Sequence, residues 1–360
     1  MTKPNGVVIV GASVAGLTVA EALRQEGYAK PITIIGDEQH PPYSRPLLSK
    51  GLLQGHLDLE AVALPPLTAA NVTMRLGERA TGLDLEHQRV VIDSGRTEYP
   101  FEVLVIASGA RARAFGSAVV LRSLDDCVGL RELVADASEF TVVGGGVLGM
   151  EVASAGLQVG RTVTIKSIEG VLVPGLGQWL SETFTNAALA SGAAVINALC
   201  SPQPSASGLV VAAIGDEPNV EWLTGSGIRL DDGVVVDEYC QACDRVFAVG
   251  DVAAWHSRGS VRRDRLWSAA IDQARAAART IVHGRDAASY NPRPYFWTDA
   301  FGLALKVAGP LPVHGEPQVL EGDLKQQSAL LRWSGPAGYT VAALNYRISV
   351  AKLHGLARAS

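Results

Sequence analysis

The feature that most constrains the fold is a strand, glycine turn, helix and strand pattern that occurs twice. The first copy has the β-branched run Val7-Val8-Ile9-Val10, a glycine turn over residues 11–16 and another apolar run at residues 32–35. The second copy begins with Phe140-Thr141-Val142-Val143 and has its glycine turn at residues 144–149. Because such units build parallel sheets with right-handed crossovers, the sequence predicts an α/β fold with two dinucleotide-binding, Rossmann-like domains.

The first glycine turn, Gly11-Ala12-Ser13-Val14-Ala15-Gly16, has the spacing that binds a pyrophosphate. Gly11 permits a tight turn, the small Ser13 lets phosphate oxygens approach the backbone, and Gly16 lets helix and strand pack closely. The unpaired N–H groups at the start of the following helix attract phosphate. After the next strand, either Asp37 or Glu38 is expected to accept hydrogen bonds from ribose hydroxyls.

Length and charge narrow the class of protein. A chain of 360 residues predicts two or three domains. Its net charge of -5 gives no case for nucleic-acid binding. With no basic and apolar leader and no uncharged apolar run of about 18 residues, we expect no signal peptide, no membrane span and a cytoplasmic location. The seven histidines lack zinc spacing, so no metal is expected.

Several blocks of the chain together resemble the FAD-dependent ferredoxin and rubredoxin reductases that serve ring-hydroxylating dioxygenases and cytochromes P450. The blocks follow the family's order over nearly the whole chain, and the third of them is the most specific. They are Val8-Ile9-Val10-Gly11-Ala12-Ser13, Gly36-Asp37-Glu38, Pro42-Tyr43-Ser44-Arg45-Pro46-Leu47-Leu48-Ser49-Lys50, Ile106-Ala107-Ser108-Gly109-Ala110-Arg111, Gly144-Gly145-Gly146-Val147-Leu148-Gly149-Met150-Glu151, Val249-Gly250-Asp251-Val252 and Tyr295-Phe296-Trp297-Thr298-Asp299.

The resemblance implies that the chain binds FAD through residues in several of these blocks. The implied contacts are Asp37, Arg45, Lys50, Ala80, Arg122, Asp251 and Trp267, and we count Ser108, Gly109 and Gly250 with them. Lys50 is expected to act catalytically, because a lysine beside the flavin stabilises negative charge on the reduced ring. Trp267 either covers the edge of the flavin or fills a domain interface.

The second glycine turn leaves the choice of coenzyme open. Its glycines Gly144, Gly146 and Gly149 are intact. Glu151 either lies near the nicotinamide as a catalytic residue, as the resemblance implies, or is a glutamate favoured near the start of a helix. Where NADH-using relatives carry an acidic residue, this chain has Lys166-Ser167. These two residues either accept the 2′-phosphate of NADPH or indicate that no pyridine nucleotide binds.

The domain organisation follows from these motifs. We predict a discontinuous FAD-binding domain at residues 1–112 and 241–290, with a shortened NAD(P)-binding-like domain inserted at residues 113–240. Alternating apolar strands indicate a small C-terminal α+β domain at residues 291–360. A turn or linker rich in serine and proline is expected at residues 201–208.

Two smaller features have competing interpretations. A basic cluster of Arg258, Arg262, Arg263 and Arg265 either steers an acidic ferredoxin towards the protein or is a solvated loop. The pair Cys240 and Cys243 has the C-x-x-C spacing of a redox dithiol, but we interpret it as two cysteines in a loop.

The predicted function is electron transfer from NADH or NADPH through FAD to a ferredoxin-type iron–sulfur protein. The alternative is a relative that binds FAD but no pyridine nucleotide, and that acts on a small substrate or as the flavin-bearing partner of another subunit. A homodimer is compatible with either function.

Overall fold

The computed structural model describes residues 6–95, 97–197, 208–257 and 260–358. The first strands are β1 (Val7–Val10), β2 (Ile32–Gly36), β3 (Val72–Leu76), β4 (Ala80–Asp84), β5 (Arg89–Ile92), β6 (Thr97–Pro100), β7 (Val103–Ile106), β8 (Ala110–Ala112), β9 (Val119–Val120), β10 (Glu139–Val143), β11 (Thr162–Ser167) and β12 (Ala194–Asn197). The later strands are β13 (Leu209–Ala212), β14 (Asp216–Pro218), β15 (Leu230–Asp231), β16 (Gly233–Val236), β17 (Gln241–Cys243), β18 (Val246–Ala248), β19 (Ala253–Ser257), β20 (Ser260–Arg263), β21 (Tyr295–Ala300), β22 (Leu303–Ala308), β23 (Gln318–Asp323), β24 (Ser328–Gly335) and β25 (Gly338–Leu344). The helices are α1 (Val14–Gln25), α2 (Leu124–Asp136), α3 (Val147–Gln158), α4 (Gln178–Ala190), α5 (Trp267–His283) and α6 (Val350–Arg358).

The chain folds into two compact units. The first unit comprises residues 1–44, 63–111 and 217–292, and the second comprises residues 45–62, 112–216 and 293–360. These units differ from the predicted domain boundaries at residues 45–62, which belong to the second unit, and at residues 217–240, which belong to the first. The α+β segment predicted at residues 291–360 is almost wholly part of the second unit.

The first unit is built on a six-stranded sheet of order β17-β18-β7-β1-β2-β3. β1 lies parallel to both β2 and β7, and only the edge strand β17 is antiparallel to its neighbour. Runs such as Val7–Val10 are buried along their whole length, as expected for a parallel strand covered on both faces. Helices α1 and α5 contribute small and aliphatic side chains, among them Leu23 and Ala277, to one of its cores.

The second unit contains two sheets. Five parallel strands have the order β12-β11-β10-β13-β9, and β10 pairs with both β11 and β13. An antiparallel sheet of order β21-β22-β25-β24-β23 follows, and α6 packs on it through the buried Leu353. The predicted α/β class with two Rossmann-like units and a C-terminal α+β part is therefore confirmed.

Among the described residues, none of the helices is long and apolar enough to span a lipid bilayer. The predicted linker at residues 201–208 falls outside the described residues except for Gly208, and Arg258 also falls outside them.

Candidate functional site

The first glycine turn has the close backbone packing that its motif requires. Gly11 has a φ of +124°, and a Cβ atom there would overlap the carbonyl oxygen of Ala107. A Cβ atom at Gly16 would overlap the carbonyl oxygen of Gly11. The turn therefore brings strand and helix together as closely as the sequence predicts, and it fixes where α1 begins.

The N-terminus of α1 is suited to bind phosphate. Ser13 is the N-cap residue in an extended conformation, and its side chain forms no capping hydrogen bond. The first turn of α1 carries no acidic residue. The N–H groups of this turn and the helix dipole therefore remain available to an anion.

A cavity of about 500 Å³ opens beside this turn within the first unit. Its volume is in the range of small-molecule pockets. The cavity is lined by Val10, Gly11, Ile35, Asp37, Glu78, Arg79, Ala80, Thr81, Ser108, Arg111, Asn219, Glu221 and Trp222. Four predicted cofactor residues, Gly11, Asp37, Ala80 and Ser108, thus lie around one space.

The geometry distinguishes Asp37 from Glu38. Asp37 follows the last residue of β2, is exposed and lines the cavity. Glu38 accepts a hydrogen bond of 2.6 Å from the Tyr43 hydroxyl. Of the two acidic residues predicted after β2, Asp37 is therefore the one that lines the cavity, and its contact with the ribose stays a prediction.

Asn219 is a cavity residue that was not among the predicted binding residues. The Ser108 hydroxyl donates to the Asn219 carbonyl oxygen (2.8 Å), and the Asn219 side-chain amide donates to the Ser108 carbonyl oxygen (2.9 Å). The backbone N–H of Asn219 also donates to the carbonyl oxygen of Gly109 (3.0 Å). These bonds hold the segment after β7 against residue 219 across 111 positions of sequence, a distance that local patterns do not bridge.

Arg79, Thr81 and Trp222 also line the cavity without having been predicted. Arg79 and Thr81 flank the predicted Ala80 in sequence, so the prediction of Ala80 could have been extended to both neighbours. Trp222, from a separate segment, is 8% exposed and packs in a core of the first unit.

The segment Gly250-Asp251 lies between β18 and β19 in a tight turn. The Gly250 N–H donates to the buried side-chain oxygen of Gln273 (2.7 Å). The Asp251 carbonyl oxygen accepts a hydrogen bond from Arg263 (3.1 Å). Trp267, a further predicted cofactor contact, is the first residue of α5 and is half-buried.

The second glycine turn repeats the packing of the first. Gly144 has a φ of +115°, and a Cβ atom there would overlap the Ala213 carbonyl oxygen. A Cβ atom at Gly149 would overlap the Gly144 carbonyl oxygen, and Gly146 is the N-cap of α3. This turn therefore has the backbone geometry of a dinucleotide site.

Lys166 and Ser167 differ in their surroundings. Ser167 is buried, and its hydroxyl donates to the Val171 carbonyl oxygen (2.8 Å). Since a hydroxyl has one proton to donate, Ser167 cannot also donate to a 2′-phosphate while this bond persists. Lys166 is half-buried.

A buried ion pair joins Lys50 and Glu151 inside the second unit. Lys50 Nζ lies 2.8 Å from Glu151 Oε1, and the two side chains are 11% and 2% exposed. Ser49 donates to Glu151 Oε2 (2.5 Å) and Thr298 donates to Glu151 Oε1 (2.6 Å). Three donors from separate parts of the second unit therefore surround this carboxylate. The sequence predicted both charged residues but not the two hydroxyls that donate to Glu151.

The groups around Lys50 come from separated segments of the second unit. Lys50 lies in a π-helical turn, Leu48–Leu52, and its ammonium is 5.8 Å from the centre of the Trp297 ring. The neighbouring Asp299 has a raised pKa because the surrounding protein desolvates its carboxyl group, and the charges of Lys50 and Lys306 oppose this shift. The Lys50 ammonium thus lies between the Glu151 carboxylate and the face of the Trp297 ring.

Arg45 and Arg122, both predicted FAD contacts, are brought together in the second unit. The Arg45 guanidinium donates to the Arg122 carbonyl oxygen (2.7 Å). The Arg122 N–H in turn donates to the Asp126 carboxylate at the start of α2 (2.9 Å). The predicted contact of both arginines with FAD stays a prediction.

The basic cluster is not a uniform exposed surface. Arg263 is buried, bonded to the Asp251 carbonyl oxygen and paired with Asp232 at 3.1 Å. Its predicted place on a docking surface is therefore wrong, because its charge is used inside the first unit. Arg262 and Arg265 are exposed, and Arg262 lies over the Trp255 ring at 5.8 Å.

The chain matches the pyridine nucleotide-disulphide oxidoreductase family over residues 5–199 and 201–274. It belongs to this family. The ferredoxin reductase component of chlorobenzene dioxygenase from Cupriavidus sp. (strain PS12) is 34% identical over 360 residues, covering 90% of this chain and 85% of that protein. Putidaredoxin reductase of Pseudomonas putida is 32% identical, covering 86% of this chain and 81% of the relative.

Solved structures agree with these relatives. The ferredoxin reductase for the CYP199A2 system from Rhodopseudomonas palustris has a TM-score of 0.86 and 26% identity, covering 95% of this chain and 91% of that one. The reductase in a covalent putidaredoxin reductase–putidaredoxin complex has a TM-score of 0.84 and 26% identity, covering 99% and 93%. The resemblance to the ferredoxin reductases that the motifs indicated is confirmed.

Proposed function

We propose that this protein is an FAD-dependent reductase that passes electrons from a nicotinamide coenzyme to a ferredoxin-type iron–sulfur protein. The observation that carries the proposal is the cavity beside the first glycine turn, lined by Gly11, Asp37, Ala80 and Ser108. Relatives named as ferredoxin–NAD⁺ reductase components support the pairing of a nicotinamide coenzyme with a ferredoxin.

The residues of the first unit fit the nucleotide part of FAD. The exposed Asp37 carboxylate would accept hydrogen bonds from the ribose, and the N-terminus of α1 would bind the pyrophosphate. Bound FAD would supply the redox chemistry, because a flavin accepts a hydride and releases electrons one at a time.

The second glycine turn would bind the coenzyme that delivers the hydride. Its glycines, Gly144, Gly146 and Gly149, leave the N-terminus of α3 open to a pyrophosphate. The names of the relatives favour NADH as the reductant. The action of Lys50 and Glu151 on the flavin and the nicotinamide stays a prediction.

A ferredoxin-type protein is the proposed electron acceptor. Relatives carry names that contain ferredoxin or putidaredoxin, and one structural neighbour is a complex with putidaredoxin. The exposed Arg262 and Arg265 offer positive charge to an acidic partner. Arg263 is left out of this surface because its guanidinium is buried.

Anaerobic spectroscopy tests the proposal. The purified protein is expected to show a flavin spectrum that bleaches when NADH or NADPH is added, and the reduced protein is expected to reduce an acidic [2Fe–2S] ferredoxin. A yellow protein whose flavin is bleached by neither coenzyme would refute the reductase function. It would favour the alternative, in which FAD is bound but pyridine nucleotides are not. A colourless protein that takes up no FAD would refute both.

A further inference from the structure

Four polar side chains form a network around one carboxylate in the second unit, and they differ in exposure. Ser49 and Glu151 are 3% and 2% exposed, and Thr298 is fully buried. The Lys50 side chain is 11% exposed. An ammonium has three protons to donate, and the ion pair with Glu151 uses one of them. Lys50 is therefore the most accessible member of this network, and its ammonium can still donate to a ligand.

Two neighbouring residues of one turn bind the two oxygens of the carboxylate. Lys50 pairs with Glu151 Oε1 at 2.8 Å, and Ser49 donates to Glu151 Oε2 at 2.5 Å. Both residues lie in the π-helical turn Leu48–Leu52, and such turns are rare and frequent at functional sites. Because the two donors are consecutive in sequence, the turn fixes where the ammonium and the hydroxyl lie relative to the carboxylate.

Strand β21 supplies two further contacts to the ion pair. The Thr298 hydroxyl donates to Glu151 Oε1 (2.6 Å), the oxygen that also pairs with Lys50. The preceding residue, Trp297, has its ring centre 5.8 Å from the Lys50 ammonium. Adjacent residues of β21 thus contact both members of the ion pair, the hydroxyl at the carboxylate and the ring at the ammonium.

Stability alone does not account for this arrangement. Burying an ion pair costs desolvation energy that often exceeds the attraction gained, and well-packed apolar side chains frequently stabilise a core as well or better. The two hydroxyls add direction, because a hydrogen bond requires a narrow range of distance and angle. They hold the Glu151 carboxylate in one orientation, and the carboxylate in turn holds the Lys50 ammonium in one position.

We propose that Ser49 and Thr298 are positioning residues, which orient Glu151 so that it holds the Lys50 ammonium where it acts on the bound flavin. Neither hydroxyl needs to touch the cofactor. A charge that is already in place stabilises the reduced ring without the cost of reorganisation, whereas a mobile charge stabilises it less. This inference rests on the proposed function, because it assumes that the protein binds FAD and that Lys50 stabilises the reduced flavin.

Redox titration of the FAD-loaded protein tests the proposal. We expect Thr298→Val and Ser49→Ala each to lower the flavin midpoint potential towards that of Lys50→Met, because a less firmly held Lys50 stabilises the reduced flavin less. In a Lys50→Met background, Thr298→Val is expected to cause no further shift, since both changes act through the same ammonium. Thr298→Ser keeps the hydroxyl and is expected to restore the potential of the natural protein.

Thr340→Val is the matched control for Thr298→Val. Thr340 is another buried threonine of the same sheet, 4% exposed in β25, and its hydroxyl donates to the Pro310 carbonyl oxygen. The control therefore also loses a buried hydrogen bond, but it is expected to leave the flavin potential unchanged. Urea unfolding measures the stability that each of the two variants loses.

Acetylation of Lys50 is a second measurement, and it does not depend on electron transfer. An amine reacts only after it has left its ion pair and lost a proton. We therefore expect Lys50 to react at least about threefold faster in Thr298→Val and Ser49→Ala than in the natural protein or in Thr340→Val. Mass spectrometry of proteolytic peptides measures the rate at this lysine.

Two results would overturn the inference. One is a Thr298→Val variant with the same flavin potential and Lys50 acetylation rate as Thr340→Val. The other is a shift caused by Thr298→Val that is as large in the Lys50→Met background as in the natural protein. If NADH or NADPH still bleaches the flavin of the natural protein, either result refutes the positioning role alone. If the protein takes up no FAD, the proposed function fails and the inference fails with it.

Discussion

Because Glu151 is buried, its ion pair with Lys50 is expected to affect the free energy of unfolding. Its carboxylate is 2% exposed and is held by Lys50, Ser49 and Thr298. Removing one member of a buried ion pair leaves the other charge without compensation, whereas removing both charges relieves that cost. The pair is therefore expected to show strong coupling rather than additive effects.

We expect Glu151→Gln and Lys50→Met each to lower the free energy of unfolding by about 3 to 5 kcal/mol. The double variant is expected to lose clearly less than the sum of the two. Urea unfolding followed by circular dichroism, with and without added FAD, measures these changes and separates lost FAD binding from lost stability. Additive losses would show that the pair contributes no coupling energy.

Cysteine reactivity is a second property set at single residues. Burial raises the pKa of the Cys240 thiol to about 12 and that of Cys127 to about 11. Cys243 is exposed, and its pKa is also raised by desolvation. Because the thiolate is the reactive form and must also meet the reagent, exposure should decide which thiol reacts near neutral pH.

In a Cys200→Ser background, maleimide at pH 8 is expected to label Cys243 in the native protein. Cys127 and Cys240 are expected to react only after denaturation. Mass spectrometry of tryptic peptides identifies the labelled sites. Rapid native labelling of Cys240 would contradict its burial. The structure has Cys240 and Cys243 as free thiols and places Cys243 at the end of β17 rather than in the predicted loop, so a mass loss of two hydrogens on mild oxidation would contradict their assignment as a non-redox pair.

The proposed function assigns FAD to the first glycine turn and the nicotinamide coenzyme to the second. A side chain at Gly11 or Gly144 would overlap a backbone carbonyl oxygen. Each glycine also has a positive φ, which a residue with a side chain adopts only with backbone strain. Since the turns belong to separate units, damage to each should impair a different ligand. The two alanine variants therefore serve as controls for each other.

Gly11→Ala is expected to release FAD, which the ratio of absorbance at 450 and 280 nm measures on purified protein. Gly144→Ala is expected to keep FAD and to weaken NAD⁺ binding by at least about tenfold, as measured by calorimetry. Circular dichroism checks that both variants are folded. Loss of FAD from Gly144→Ala alone would contradict the assignment of the two turns.

The sequence predicts these elements well because their signals are local. Glycine spacing, β-branched runs and helical periodicity all lie within about 30 residues, and the parallel pairing of β1 with β2 and of β10 with β11 follows from them. The glycines and Asp37 were predicted for the same reason.

Contacts between distant segments were missed because nothing local specifies them. Thr298 reaches Glu151 across 147 positions, and Ser108 reaches Asn219 across 111. Arg263 looks like a surface arginine in sequence, but in the fold it is buried and bonded to Asp232 and to the Asp251 carbonyl oxygen. The sequence shows the charge and chemistry of each residue, but the residues that it contacts are determined by the fold.

At the scale of the whole molecule, charge bears on partner choice. The chain carries a net charge of -5, which on average repels an acidic protein. A local basic surface can still guide such a partner, because interactions between exposed charges decay over about 10 Å at moderate salt. Arg262 and Arg265 therefore matter for docking only if the ferredoxin approaches close to β20.

Arg262→Glu tests this surface against a closely matched control. Arg262 is 52% exposed and lies 3.7 Å from Asp264, and Arg245 is 53% exposed and lies 3.7 Å from Asp244. We expect Arg262→Glu to raise the KM for an acidic ferredoxin by at least about threefold at low salt, because a rim charge mainly changes the association rate. Arg245→Glu should raise this KM less, and the difference between the two variants should fade as ionic strength rises.

Ferricyanide, a small acceptor, reports whether electron flow through the flavin is intact in both variants. Equal KM values in the two variants would place ferredoxin docking elsewhere on the protein.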